Sequence, residues 1–195
     1  MRTRLHSWLL RALLALAAVQ AVACSAGSFT DDPAVSHGRP AITQLDCMPA
    51  AESVVPLGNH TEQASDGVLF IFNDGVSRSD RGRVIAGIEA VRSYLVDQNE
   101  TPPELVCVDV RVTESGLAGS ANATGTHVVI YTTLEGWTTP LSWHLQMVAA
   151  HEYVHTWQYQ LSGNTPPGGP TWLIEGAAQV IAVRSVISCG HLEWR

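Results

Sequence analysis

Residues 68–72, Val-Leu-Phe-Ile-Phe, form a continuous apolar run closed by Asn73-Asp74-Gly75, a pattern that predicts a buried strand running into a turn. Beyond it Val84, Ile85, Ile88, Val91 and Leu95 recur at helical spacing, while Arg81, Arg83, Glu89 and Arg92 fall largely on the other side. An amphipathic helix is expected there, capped by Ser77 or Ser79. Pro102-Pro103 ends it, and Val106, Val108, Val110 and Val112 then alternate with Cys107, Asp109 and Arg111 in the period of a half-buried strand. Residues 116–125, rich in Ser, Ala, Asn and Thr, read as a mobile loop, and 127–132 as a third strand.

The last third of the chain changes period. Thr139-Pro140 places a capping residue before a proline at the first helical position, so a helix is expected from there to about Leu161. The run 162–170, Ser-Gly-Asn-Thr-Pro-Pro-Gly-Gly-Pro, is a connecting loop, and a last helix should span 171–187. Strand, helix, strand, strand, helix, helix is an α+β order with the sheet beside the final helices. No internal repeat is evident.

Composition narrows the class. With 195 residues, 46% hydrophobic and 15% charged, the chain can bury one core and is expected to form one folded domain. All 11 basic residues are arginine, three of them in the first eleven positions, against 18 acidic residues. Such a balance argues against nucleic acid as a partner, since phosphate binding rests on clustered cations. Arg2 and Arg4 precede an apolar run from Trp8 to Val22, which reads as an export signal over 1–23. Ala21-Val22-Ala23-Cys24 resembles a bacterial lipobox, with Ala21 where leucine is usual. Export is expected with either a lipid on Cys24 that tethers the protein to a membrane surface or a free Cys24 after ordinary cleavage. Residues 24–45 are expected to be a flexible spacer and 46–195 the folded domain. Of Cys47, Cys107 and Cys189, an oxidising compartment permits one disulfide, Cys47 with Cys107 being the favoured pair, and one thiol left over.

The chemistry concentrates in His151-Glu152-Tyr153-Val154-His155, followed twenty residues after its second histidine by Glu175 in Trp172-Leu173-Ile174-Glu175-Gly176-Ala177-Ala178. Side chains four apart on a helix share a face, so both imidazoles can reach one metal ion. Glu152, turned about 100° from His151, addresses a water on that ion rather than the ion itself. On an ordinary helix the same residues would be two partly buried histidines and a salt-bridged glutamate. The second helix argues otherwise, because a glutamate on its apolar face is costly to bury without a partner.

His151-Glu152-x-x-His155 with Trp172-Leu173-Ile174-Glu175-Gly176-Ala177-Ala178 resembles the gluzincin branch of the zinc metallopeptidases, the peptidase MA-like group that includes the aminopeptidase N and thermolysin types. The resemblance implies a zincin-like fold and a zinc ion held by His151, His155 and Glu175. It also implies Glu152 as general base and a peptide or protein as substrate. The metzincin branch would need glycine at Gln158 and histidine at Leu161. Aminopeptidases of the branch carry a Gly-x-Met-Glu-Asn motif where this chain has Thr132-Thr133-Leu134-Glu135-Gly136, so the aminopeptidase assignment is not carried over. The strand 127–132 is the expected edge for an extended peptide, and Gln179 a candidate support for a zinc histidine. Gluzincins usually supply an oxyanion-stabilising residue from a further domain after the glutamate helix; three alternatives stand here, a chain that is a fragment, a substitute residue from among Tyr131, Tyr153, Tyr159 and His191, or a domain that no longer works as an enzyme. A rival expectation is a surface protein that keeps the fold without catalysis and binds a partner in the cleft.

Overall fold

Five strands and three helices make up the computed structural model, which describes residues 60–65, 67–112, 121–132 and 143–189. In chain order they are β1 (His60–Ser65), β2 (Val68–Asn73), α1 (Arg78–Asp97), β3 (Val106–Val112), β4 (Ala121–Ala123), β5 (His127–Thr132), α2 (His144–Leu161) and α3 (Thr171–Ser188). The class is α+β, as the order of periodic segments predicts. The sheet runs β1-β2-β3-β5-β4. Strands β2, β3 and β5 are mutually parallel, and β1 and β4 close the two edges antiparallel. A parallel step from β2 to β3 needs a crossover, and α1 supplies it.

Alternation along the strands sorts the sheet into two faces. Val68, Phe70, Phe72, Val106, Val108, Val110, Val128 and Ile130 face the helices and join the main core. On the other face Leu69, Ile71 and Cys107 make a smaller buried cluster. Strand β3 is therefore not half-buried as its alternation suggests: Val106 to Val110 are buried on both faces. Its central place, between parallel neighbours, is the reason. Asp109 is buried there, and the Arg111 guanidinium donates to its Oδ2 from Nε and Nη2, both at 2.6 Å.

Two further expectations change. Residues 121–123, read as loop, pair with β5 as β4, because a three-residue strand of small residues carries no readable period. Strand β5 is consequently interior at Val128 to Ile130 and is not the free edge expected for a peptide.

Helix α1 buries Val84, Ile85, Ile88, Val91 and Leu95 as its spacing predicts, and Ser77 is its cap, accepting from the Asp80 N–H at 3.0 Å. Gly87 lets α1 and α2 approach closely: a Cβ there would stand 2.2 Å from the Gln146 carbonyl oxygen. Nearby, Tyr153 of α2 is clamped, its hydroxyl accepting from Arg92 at 2.9 Å and donating to the Pro103 carbonyl at 3.2 Å. Helix α3 packs on both α1 and α2 through Ala178, Ile181, Ala182 and Val186.

Helix α2 starts at His144 after Trp143, which makes no side-chain cap; Thr139, Pro140 and Glu135 lie outside the described residues. So do the expected signal, Cys24, the spacer and His191. Cys107 and Cys189 are both disulfide-bonded, so neither is the leftover thiol; Cys47, the expected partner of Cys107, also lies outside the described residues. Among the described residues no helix is long and apolar enough to cross a membrane.

Candidate metal centre

Helix α2 presents His151 and His155 one turn apart, with ring centroids 4.7 Å apart, nearly perpendicular planes and Nε2 atoms 3.0 Å apart. The helix stops because Gly163 and Asn164 take positive φ, their N–H groups bonding back to Gln160 and Tyr159. Pro170 then precedes α3 in an extended conformation, and the first turn of that helix leads to Glu175. Its Oε2 stands 3.1 Å from Nε2 of His151 and 3.3 Å from Nε2 of His155.

These three atoms form a nearly equilateral triangle. Tetrahedral zinc with bonds of about 2.0–2.2 Å separates its ligand atoms by about 3.3–3.6 Å, so the donor set fits such an ion with an opening of the triangle by a few tenths of an ångström. This is the one group of three or more side chains among the described residues that could hold a metal ion. The Glu175 side chain is 52% exposed while the two imidazoles are mostly covered, which leaves the triangle open to solvent on the α3 side.

Electrostatics agree with a ligand role. Burial, then the neighbouring His155, push the His151 pKa down against the pull of Glu175 and Gln179. The downward shift favours the neutral imidazole, the form that binds metal, and Nε2 of His151 is within hydrogen-bond distance of Glu175. Gln179, four residues past Glu175, is exposed and has the smallest influence on the His151 pKa, while His151 Nδ1 is buried without a hydrogen-bond partner. Burial raises the Glu152 pKa; His155 opposes the rise and Glu175 adds to it. Glu152 therefore feels both His155 and Glu175 while standing outside the triangle.

The structure separates the remaining candidates. Tyr153 is fully buried and clamped by Arg92 and Pro103, so it cannot stabilise an oxyanion; its place in the motif puts it on the core face of α2. Tyr131 pairs with Arg111 on the far face of the sheet. Tyr159, four residues after His155, shares the ligand stripe and is half-buried. Trp157 is core, Trp143 packs against the core, and Trp172 is 73% exposed one turn before Glu175. His127 faces Asp109 and Arg111 on the other side of the sheet, away from the centre.

One contributor escaped the sequence reading, which weighed Gln158 only as the place where a metzincin has glycine. Gln158 is buried; its Oε1 lies 2.8 Å from Nδ1 of His155 and its Nε2 donates to the Ile174 carbonyl at 3.0 Å. Its spacing of three from His155 was the available signal.

Comparison with protein-family models, with curated proteins and with solved structures returns no match. By its own geometry the chain is an α+β domain with a two-histidine, one-carboxylate cluster where two helices meet.

Proposed function

We propose that this chain is a zinc-dependent metallopeptidase of gluzincin type with a zincin-like fold. His151, His155 and Glu175 are the metal ligands and Glu152 is the general base. The observation that carries the reading is the triangle of 3.0, 3.1 and 3.3 Å between ligand atoms from two separate helices. When bound, zinc supplies Lewis acidity, polarising a carbonyl and lowering the pKa of a water from about 15.7 toward 7.

The chain's own residues do the rest. Glu152 accepts a proton from the attacking water as its oxygen bonds to the peptide carbonyl carbon, and passes that proton to the amide nitrogen as the C–N bond breaks. One water is consumed, and an acid and an amine leave. Tyr159, on the ligand stripe, is the candidate donor to the developing oxyanion. Export, with a lipid on Cys24 as tether, would place the substrate among extracytoplasmic peptides or proteins.

The test is metal analysis of the purified protein together with cleavage of a peptide library, with and without a chelator. One zinc per chain and chelator-sensitive cleavage are expected. Glu152→Gln should keep the zinc and lose at least about 100-fold in turnover. Protein free of zinc after dialysis against it would sink the reading, whereas zinc without cleavage would leave the partner-binding rival.

A further inference from the structure

We infer that Gln158 is the positioning residue of the metal centre: it sets which nitrogen of His155 is free for metal and ties that histidine to the helix carrying Glu175. The inference rests on the zinc reading above and adds to it a residue outside the ligand set.

The logic starts at a backbone carbonyl. Ile174 O can only accept, so the Gln158 atom facing it at 3.0 Å must be the amide nitrogen. The amide oxygen is then the atom 2.8 Å from Nδ1 of His155. An amide oxygen only accepts, so Nδ1 carries the proton of the neutral ring and the lone pair belongs to Nε2. That lone pair points to the triangle, 3.0 Å from Nε2 of His151 and 3.3 Å from the Glu175 carboxylate oxygen.

With the Nε2 lone pair fixed there, the carboxylate and His155 present electron pairs to one another, an arrangement that a cation between them relieves. The same amide reaches α3 at Ile174, the residue before Glu175, so one side chain spans the two helices that must converge. Gln158 is buried, and no solvent is needed to hold this geometry. Supporting groups of this kind on zinc histidines commonly change metal affinity by about 10–100-fold when removed.

Two measurements test it. In the metal-free wild-type protein at neutral pH, nitrogen-15 NMR of the imidazoles should show His155 protonated at Nδ1; protonation at Nε2 overturns the inference without any mutation. Zinc affinity by competition with a chromophoric chelator should fall about 10–100-fold in Gln158→Leu. The loss should be several-fold smaller in Gln158→Glu, which keeps the acceptor for Nδ1 but, when ionised, gives up the donor to Ile174. Equal losses in both variants, or none in Gln158→Leu, would overturn it while leaving the zinc reading intact. A wild-type chain that takes up no zinc fails at the earlier step and removes both.

Discussion

The Glu175 carboxylate stands 3.1 Å from Nε2 of His151, although 24 residues and a change of helix separate them in the chain. A carboxylate that close to two imidazoles is placed by helix packing, and its removal should be felt by any ion bound there. Zinc at about 100 times its dissociation constant should stabilise the fold by about 2.7 kcal/mol. Thermal melts with zinc and with chelator should therefore differ clearly in wild type and much less in Glu175→Ala.

Burial drives the Tyr153 hydroxyl up to about 12, with Arg92 opposing the rise. Below about pH 10, the ordinary tyrosine value, both folded and unfolded chains keep the proton, and the contribution is fully present. Between about 10 and 12 the unfolded chain loses the proton first, so stability falls as pH rises, by about 2–3 kcal/mol in all. Chemical denaturation across that window should show the decline, and Tyr153→Phe should flatten it.

Two glycines in α1 should answer the same substitution with opposite signs. Nothing lies within 4 Å of a Cβ at Gly82, so Gly82→Ala should stabilise the helix by up to about 1 kcal/mol. At Gly87 the new methyl meets the Gln146 backbone, and Gly87→Ala should destabilise by about 1–3 kcal/mol or more. Because α2 must shift to admit it, Gly87→Ala should also weaken zinc binding. Paired denaturant titrations and the chelator competition check both statements.

Ser77→Ala removes the acceptor for the Asp80 N–H at the start of α1 and should cost about 1 kcal/mol. Ser79→Ala, which leaves that bond in place, should cost less by equilibrium unfolding.

Much of the scaffold is legible in local pattern. The five apolar residues 68–72, the helical recurrence from Val84 to Leu95 and the break at 162–170 each mark an element, because side-chain periodicity reports the face that an element buries. What failed was non-local. Strand β1 and the three-residue β4 are defined by the partners they pair with, and β3 is buried on both faces because of its neighbours rather than its own alternation.

The candidate centre divides along the same line. His151, Glu152 and His155 were readable because a helix converts a spacing of four into a shared face, a rule internal to one element. Glu175 could be named from its segment, but its distance to the imidazoles depends on how α3 lies across α2, and that is decided by the packing of Ala178, Ile181, Ala182 and Val186. Gln158 shows the limit most plainly. Its sequence says polar and three after a histidine, whereas its bond to a carbonyl on another helix, and hence the proton it assigns to His155, exists only once the two helices are brought together.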